Sequence, residues 1–287
     1  MMGKQALYGF ICALLIFAQQ TDSAYAQNQA SPSSSLVPLF WRIDRDIEPP
    51  NLKDFGQLRI VTTDGYPPFN YRDAAGNMAG FNIELMQAIC STLRIQCSFA
   101  VAPFEQLFTA LQNNEADVAA ASISRSATNY QRADFSKPYF RSGGRFAVRV
   151  QSSTKEPTPR EFSGKRLGVV QNTAHAAYLS AFFGRANVTA FPSHLEAAEA
   201  LRVGQIDALF GDNMALNFWI QGEASRDCCK LVPGAFWESF YFGDGAGLAT
   251  RRNDQKTLDV LNYGLDRVKI SGAYDTIFRK YFALPFE

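Results

Sequence analysis

From position 58 onward, short apolar runs of strand length alternate with segments in which apolar residues recur at helical spacing. The first run, 58–62, is followed by a helix predicted to begin at the capping residue Asn82 and to end near Arg94. Further strands are predicted at 98–101, 117–122, 166–170, 188–191 and 206–210. Strands that are separated by helices indicate parallel sheets with helices on both faces.

Polar residues in the second half of the chain mark helix starts. Ser193 and Glu196 have the spacing of a capping box, and Asp212 is predicted to cap a helix that ends near Gln221. A segment rich in Pro, Thr and Ser, 152–159, separates two sets of strands and helices. The pattern therefore predicts an α/β protein with two lobes. Ligands of such sheets bind beyond the carboxyl ends of the strands, which places the site in the cleft between the lobes.

The first 26 residues have the features of a secretory signal peptide: Lys4 near the start, an apolar run at 6–18, and small residues at Ala24 and Ala26. The run is shorter than the roughly 20 residues of a membrane-spanning helix. We predict that segment 1–26 is cleaved on export; an uncleaved anchor is the alternative. Segment 27–57, rich in Ser, Pro, Asn and Gln, is predicted to be a flexible leader whose apolar patch around Trp41 offers local docking.

Composition narrows the choice of function. The chain of 287 residues is 47% hydrophobic and 19% charged, which is typical of a globular protein with a real core. Its net charge of +1 provides no basic excess for nucleic acid, and we expect no nucleic-acid partner.

The cysteines allow disulfides in an exported protein. Bridging Cys90 and Cys97 would close a short loop after the first helix, whereas the neighbours Cys228 and Cys229 either form a strained vicinal disulfide or stay as thiols. Neither pair has the spacing or the histidine partners of a zinc site, so we expect no metal and no cofactor.

Six short motifs carry a family resemblance. They are RIVTTDGYPPFNY (59–71), GFNIEL (80–85), DFSKPY (134–139), GKRLGV (164–169), GAY (272–274) and KYF (280–282). In this order and spacing, they make the chain resemble the extracellular solute-binding proteins of family 3, the polar amino acid receptors of ABC importers, over nearly all of 58–286. It is similar to the histidine-binding and lysine/arginine/ornithine-binding receptors, which carry a disulfide with the spacing of Cys90 and Cys97.

The resemblance implies a type II periplasmic binding protein fold. A discontinuous lobe one would comprise 58–145 and 245–287, with lobe two at 146–244 and hinge strands near 146–150 and 241–249. It also implies that a monomer closes around a small polar ligand and then docks to the permease subunits of an ABC transporter.

The resemblance assigns ligand contacts residue by residue. Asp212 matches the aspartate that takes the ligand's ammonium group; a plain helix N-cap is the alternative, and the two carboxylate oxygens could serve both roles. Tyr66 and Phe104 match aromatic residues that cover the apolar part of the ligand, although both also fit a core. The polar matches are Ser122 and Ser124 in lobe one, which also fit as caps of the next turn, and Thr173 with the following helix start as the anion contact of lobe two.

Three positions depart from the family pattern. Asn129 stands in place of the arginine that grips the ligand's carboxylate, and Thr63 replaces an aspartate that meets a distal cation. His175 stands where relatives carry an amide and is placed within reach of the ligand or on the helix surface; His194 is interpreted as a residue without a role in the site. The ligand's carboxylate would lack a cationic partner unless another arginine side chain reaches it. The candidates are Arg125, Arg132 and Arg141.

Two other functions remain open at this stage. Periplasmic cyclohexadienyl dehydratases resemble the same fold family and need little more than an acid in the cleft, but the sequence offers no recognisable nucleophile and base pair. A sensory or accessory protein without a transporter is the second alternative. The leading interpretation is a binding receptor that performs no chemistry.

Overall fold

The computed structural model describes residues 37–52 and 55–282, and the predicted signal peptide lies outside the described residues. In chain order the strands are β1 (Gln57–Thr62), β2 (Gly65–Tyr66), β3 (Asn70–Arg72), β4 (Met78–Ala79), β5 (Gln96–Val101), β6 (Val118–Ser124), β7 (Asp134–Phe135), β8 (Gly144–Arg149), β9 (Arg166–Val170), β10 (Asn187–Phe191), β11 (Ala208–Asp212), β12 (Cys229–Leu231) and β13 (Ala246–Thr250). The helices are α1 (Phe81–Leu93), α2 (Leu107–Gln112), α3 (Ala127–Tyr130), α4 (Ala174–Phe182), α5 (His194–Arg202), α6 (Asn213–Gln221), α7 (Ser239–Phe242), α8 (Gln255–Ile270) and α9 (Ala273–Tyr281).

The first sheet has the strand order β5-β1-β6-β13-β7. Strand β1 is parallel to both neighbours, with Ile60 opposite Phe99 of β5 and Val118 of β6. Strand β13 is antiparallel to β6 and to β7. Four of the five strands therefore run in one direction, as expected of a parallel sheet, and the expectation is wrong for β13 alone, because β13 brings the chain back into this sheet from the second one.

The second sheet repeats this arrangement with the order β10-β9-β11-β8-β12. Strand β9 is parallel to β10 and β11, whereas β8, which enters from the first sheet, is antiparallel to β11 and β12. A small antiparallel sheet, β2-β3-β4, precedes α1. We call the part built on the first sheet lobe one and the part built on the second sheet lobe two. The α/β fold of two lobes agrees with the prediction, whereas the exact lobe limits stay a prediction.

Helix α1 does not start where the sequence predicts. Asn82 was expected to be its cap, and this is wrong because Gly80 occupies the N-cap position. Gly80 has a φ of 123°, and a Cβ there would lie 2.3 Å from the carbonyl oxygen of Phe69. Only glycine fits this close approach of two backbones. Asn82 lies inside the first turn, and its side chain is fully buried.

The helix starts predicted in lobe two are confirmed. The Ser193 hydroxyl accepts the N–H of Glu196 at 3.2 Å and donates to the Glu196 carboxylate at 2.9 Å. Asp212 caps α6, where its Oδ1 accepts the amides of Met214 and Ala215 at 2.8 and 3.0 Å. These caps satisfy amides that the helix itself leaves unpaired, and they hold the loops after β10 and β11 in place.

Each lobe has its own apolar core. In lobe one the core lies among α1, α8, α9 and the sheet, with Phe81 and Phe278 edge-on at 5.9 Å between ring centroids. In lobe two the core is rich in phenylalanine, and Phe146 stacks on Phe162 at 4.3 Å. Aromatic burial of this extent dominates core energetics, so both sheets are firm supports for the loops at their edges.

The described part of the predicted leader packs on lobe one. Trp41 is 6% exposed, meets the Tyr274 ring edge-on at 5.2 Å and donates its indole N–H to Asp266 at 2.8 Å. Lys137 also binds the buried Asp266 carboxylate at 2.7 Å. The carboxylate therefore has both a cation and an indole donor, and it fixes the leader to α8.

Both cysteine pairs form disulfides. Cys90 joins the end of α1 to Cys97 in β5, and the neighbours Cys228 and Cys229 are joined at the start of β12. The second bond decides the alternative that the sequence left open. None of the helices in the described parts of the chain has the length and apolar character needed to cross a bilayer.

Candidate ligand-binding site

The predicted site residues follow the carboxyl ends of four strands. Thr63 follows β1, Ser122 and Ser124 lie at the end of β6, Thr173 follows β9, and Asp212 ends β11. Because the carboxyl ends of parallel strands meet at one edge of a sheet, each lobe presents its polar residues at one edge. This is the position expected of a site between two lobes.

The edge of lobe one carries a hydrogen-bonded network around the buried Asn82. Its side-chain N–H groups bind Asn70 at 2.7 Å and Ser122 at 3.1 Å, and its Oδ1 accepts the hydroxyl of Tyr139 at 2.7 Å. Asn70 in turn donates to the hydroxyl of Thr63. The predicted contacts Thr63 and Ser122 therefore belong to a rigid, internally paired wall.

Asn129, which the resemblance places at the position of the family arginine, is bound to its own lobe. Its side-chain N–H donates to the carbonyl oxygen of Ser124 at 2.8 Å, and its backbone N–H donates to Ser126 at 3.3 Å. The Ser124 hydroxyl donates to the carbonyl oxygen of Phe242 at 2.9 Å. The side chains of Asn129 and Ser124 therefore each spend a hydrogen-bond donor on a carbonyl oxygen of the protein.

Asp212 is the acidic group of the site. Burial raises the pKa of its carboxyl to about 6, and the amides of Ala215 and Met214 together with the Ser142 hydroxyl offset part of that rise. Both amide bonds go to Oδ1, so capping leaves Oδ2 to other donors. Within residues 37–52 and 55–282, no lysine or arginine forms an ion pair with Asp212. A half-buried carboxylate without a cation is well suited to bind one.

Two histidines also follow the carboxyl ends of strands in lobe two, at the starts of α4 and α5. His175 lies in the first turn of α4, with its ring 5.6 Å from Phe210 and 5.2 Å from Phe242. His194, at the start of α5, is 5% exposed, and its Nε2 has no hydrogen-bond partner. Burial lowers the pKa of both imidazoles to about 4, and for His175 the nearby His194 adds to this effect. Both rings are therefore neutral at neutral pH.

Tyr66 brings lobe one against these lobe-two groups. Its ring stacks on Phe69 with centroids 5.0 Å apart and meets His194 edge-on at 6.5 Å. Burial raises the pKa of its hydroxyl, and the charges of Asp212 and Tyr139 raise it further. Tyr66 therefore lies where the two lobes meet.

Other predicted contacts are placed less centrally. Phe104 is 42% exposed. The Thr173 hydroxyl caps α4: it accepts the amide of Ala176 at 3.2 Å and donates to Val170 at 2.7 Å. Both bonds of Thr173 stay within lobe two. No contact recorded among the described residues links Thr173 or Phe104 to Asp212.

The sequence did not predict that Asn82 lies at the centre of a hydrogen-bonded network. It also did not predict that His194 is buried at the edge of lobe two. His194 follows the carboxyl end of β10, next to the capping Ser193. That position was a usable signal, because the loops after β9 and β11 carry the other lobe-two residues of the site. The ring that meets His194 edge-on, that of Tyr66, is far away in the sequence.

The fold and the cleft residues define a class of protein: two-lobed receptors that bind a small solute between their lobes. A sequence model of the bacterial extracellular solute-binding proteins, family 3, matches residues 58–284. The chain belongs to this family, which confirms the resemblance seen in its motifs.

Named relatives are binding proteins. The chain is similar to the L-arginine-binding protein of Pseudomonas aeruginosa PAO1, with 28% identity over 79% of this chain and 88% of the relative. It is 27% identical to the lysine/arginine/ornithine-binding periplasmic protein of Escherichia coli K12, over 78% and 87%. An arginine-specific periplasmic binding protein of Salmonella typhimurium superposes with a TM-score of 0.70 at 26% identity, over 79% of this chain and 99% of that one.

Proposed function

We propose that this protein captures a small cationic metabolite, an amino acid or a derivative of one, in the periplasm and delivers it to an ABC importer. The observation that carries this proposal is Asp212, a half-buried carboxylate that has no cationic partner among the described residues. An ammonium group that binds there would supply the missing charge. It would also return the pKa of Asp212 toward its ordinary value.

The meeting of the lobes at Tyr66 supports a hinge mechanism. A ligand that first binds one lobe would gain contacts to the other lobe only on closure, and this difference would stabilise the closed form. We retain the predicted lobe limits of 58–145, 146–244 and 245–287, and a monomer that docks through both lobes to the permease.

The relatives support the choice of ligand and compartment. Their names specify arginine, or lysine, arginine and ornithine, and that of Escherichia coli is periplasmic. We extend to this chain the cationic character of these ligands and the periplasmic location, with cleavage after residue 26. The ligand contacts that we propose are Thr63, Tyr66, Phe104, Ser122, Ser124, Asn129, Thr173, His175 and Asp212.

Isothermal titration calorimetry with amino acids, amines and organic acids tests this proposal. Asp212→Asn should keep the helix cap but lower the affinity for any cationic ligand by about a hundredfold or more. Asp254→Asn is the matched control, because Asp254 caps α8 by accepting the amide of Thr257 at 3.1 Å and lies outside the site. If no cationic solute binds, or if both variants bind like the parent, the proposal fails.

The raised pKa of Asp212 is also what the enzymatic alternative would require of an acid in the cleft. We propose that the protein nevertheless performs no chemistry, in keeping with its named relatives. An assay for products from prephenate and arogenate separates the two functions. Turnover that is lost in Asp212→Asn would establish the enzyme and exclude a simple receptor.

A further inference from the structure

We infer that the cleft selects an amine that carries no carboxylate next to its ammonium group, rather than a free amino acid. This inference rests on the proposed function, since it takes Asp212 as the ammonium contact. It adds a statement about the other end of the ligand, which relatives of this family bind through an arginine.

The first step concerns the position of the missing arginine. Asn129 is uncharged, and its side-chain N–H already donates to Ser124, whose hydroxyl donates to Phe242. A Cβ on Gly243, the next residue, would lie 2.5 Å from the Ser124 hydroxyl oxygen, so the segment is packed closely here. A carboxylate would have to break these bonds to use the same donors, and it would gain no charge in return.

The second step concerns the arginines that could replace the missing one. Each of the three candidates lies over an aromatic ring. The distances from guanidinium carbon to ring centroid are 5.9 Å for Arg125 over Tyr130, 3.9 Å for Arg132 over Phe108 and 6.0 Å for Arg141 over Trp237. Moving one of them to the ligand would forfeit a cation–π contact.

The third step is the charge of the site. Asp212 is negative in its ionised form, whereas His175 and His194 are neutral at neutral pH because burial opposes their protonation. Among the proposed contacts, none therefore carries a positive charge. A carboxylate would be buried near a like charge without a counter-ion, whereas a lone ammonium group would be neutralised.

The fourth step concerns neutral donors. The start of α4 offers backbone amides, but the Thr173 hydroxyl is already bonded to Val170 and Ala176. Neutral hydrogen bonds to a carboxylate are weaker than the two parallel bonds of an arginine. We therefore expect a preference of at least about tenfold for the ligand without the carboxylate.

Calorimetry on matched series at neutral pH tests this inference. Each series contains an amino acid, its carboxamide and its decarboxylated amine, for example arginine, argininamide and agmatine, or lysine, lysinamide and cadaverine. The amine should bind at least about tenfold more tightly than the amino acid, and the carboxamide should bind like the amine. A carboxamide as weak as the amino acid would point to size rather than charge and would overturn the inference.

Asn129→Arg supplies a gain-of-function test. A guanidinium at this position should shift the preference within each series toward the amino acid by at least about tenfold. Gln131→Arg adds the same charge at an exposed position two residues away and should leave the preference unchanged.

The two proposals fail in different ways. If amino acids bind as tightly as their amines, or more tightly, and depend on Asp212, the receptor proposal stands and the present inference is wrong. If neither class binds, both proposals are wrong.

Discussion

The two lobes treat their polar residues at the cleft in opposite ways. Lobe one pairs most of them with one another, so that Asn82 alone joins Asn70, Ser122 and Tyr139, although the Nε atom of Arg125 has no partner among the described residues. Within the described parts of the chain, lobe two leaves the Asp212 carboxylate without a cation and the Nε2 atom of His194 without a partner. A saturated network fixes shape, whereas unsatisfied groups are free to bind a ligand. The contrast assigns the frame of the site to lobe one and its selectivity to lobe two.

The same contrast has a consequence for stability. Buried groups with full hydrogen bonding cost little to keep, but buried groups that have lost their partners destabilise the folded state. Lobe two should therefore be the part of the protein that is most sensitive to pH, and lobe one the part most sensitive to the loss of a single polar side chain.

The largest expected effect is acid destabilisation through the two histidines. Their pKa values of about 4 lie below the ordinary value of 6.5, so the folded state binds fewer protons than the unfolded chain. Their stability contribution is complete above pH 6.5 and is lost as the pH falls toward 4. This amounts to about 2 kcal/mol for each histidine between about pH 7 and about pH 5.

Urea unfolding at these two pH values measures this effect. Between about pH 7 and about pH 5, the parent should lose about 4 kcal/mol of its free energy of unfolding through the two histidines. The double variant His175→Gln/His194→Gln should not show this loss. Asp212 acts in the opposite direction, because its raised pKa gives stability that is complete below 3.8 and is lost as the pH rises through about 6. Equal pH profiles for parent and variant would contradict the assignment.

The second effect concerns the network of lobe one. Asn82→Ala should lower the free energy of unfolding by about 3 kcal/mol, because Asn70, Ser122 and Tyr139 would lose a buried partner together. Asn113→Ala, at an exposed position, is the control and should change stability by less than about 0.5 kcal/mol. Similar values for the two variants would show that the network does not stabilise lobe one.

The third effect compares the disulfides, one in each lobe. Cys90 and Cys97 are seven positions apart, and replacing both with serine should cost about 2 kcal/mol of stability through the freedom restored to the unfolded chain. Cys228 and Cys229 are adjacent and close no further chain, so Cys228→Ser/Cys229→Ser should cost less than about 1 kcal/mol. Urea unfolding of the two double variants measures the difference. A larger loss for Cys228→Ser/Cys229→Ser would contradict the entropic explanation.

The smallest effect is expected at His194. His194→Phe replaces an unpartnered imidazole with an apolar ring of related shape, and should stabilise the protein by up to about 1 kcal/mol. The same change should weaken ligand binding if this imidazole contacts the solute. A clear loss of stability, measured by thermal and urea unfolding, would mean that His194 does have a partner in the folded protein.

The sequence predicted much of the fold and part of the site. Local patterns were sufficient for the alternation of strands and helices and for the caps at Ser193 and Asp212, because a cap depends on neighbours two or three residues away. They were insufficient at Gly80, where the backbone of Phe69 excludes any side chain. Hinge strands were expected near 146–150 and 241–249, but the antiparallel direction of β8 and β13 was not, since that direction is decided by the return of the chain between sheets.

The sequence by itself determined the family, the two lobes and the position of the acid at the end of β11, since all of these follow from local pattern and short motifs. Tertiary structure alone decided the environment of the side chains. Trp41 meets Asp266 across 225 positions, and Tyr66 of lobe one meets His194 of lobe two. Burial, and with it the charge state of the histidines and of Asp212, arises from such distant contacts, which no local pattern encodes.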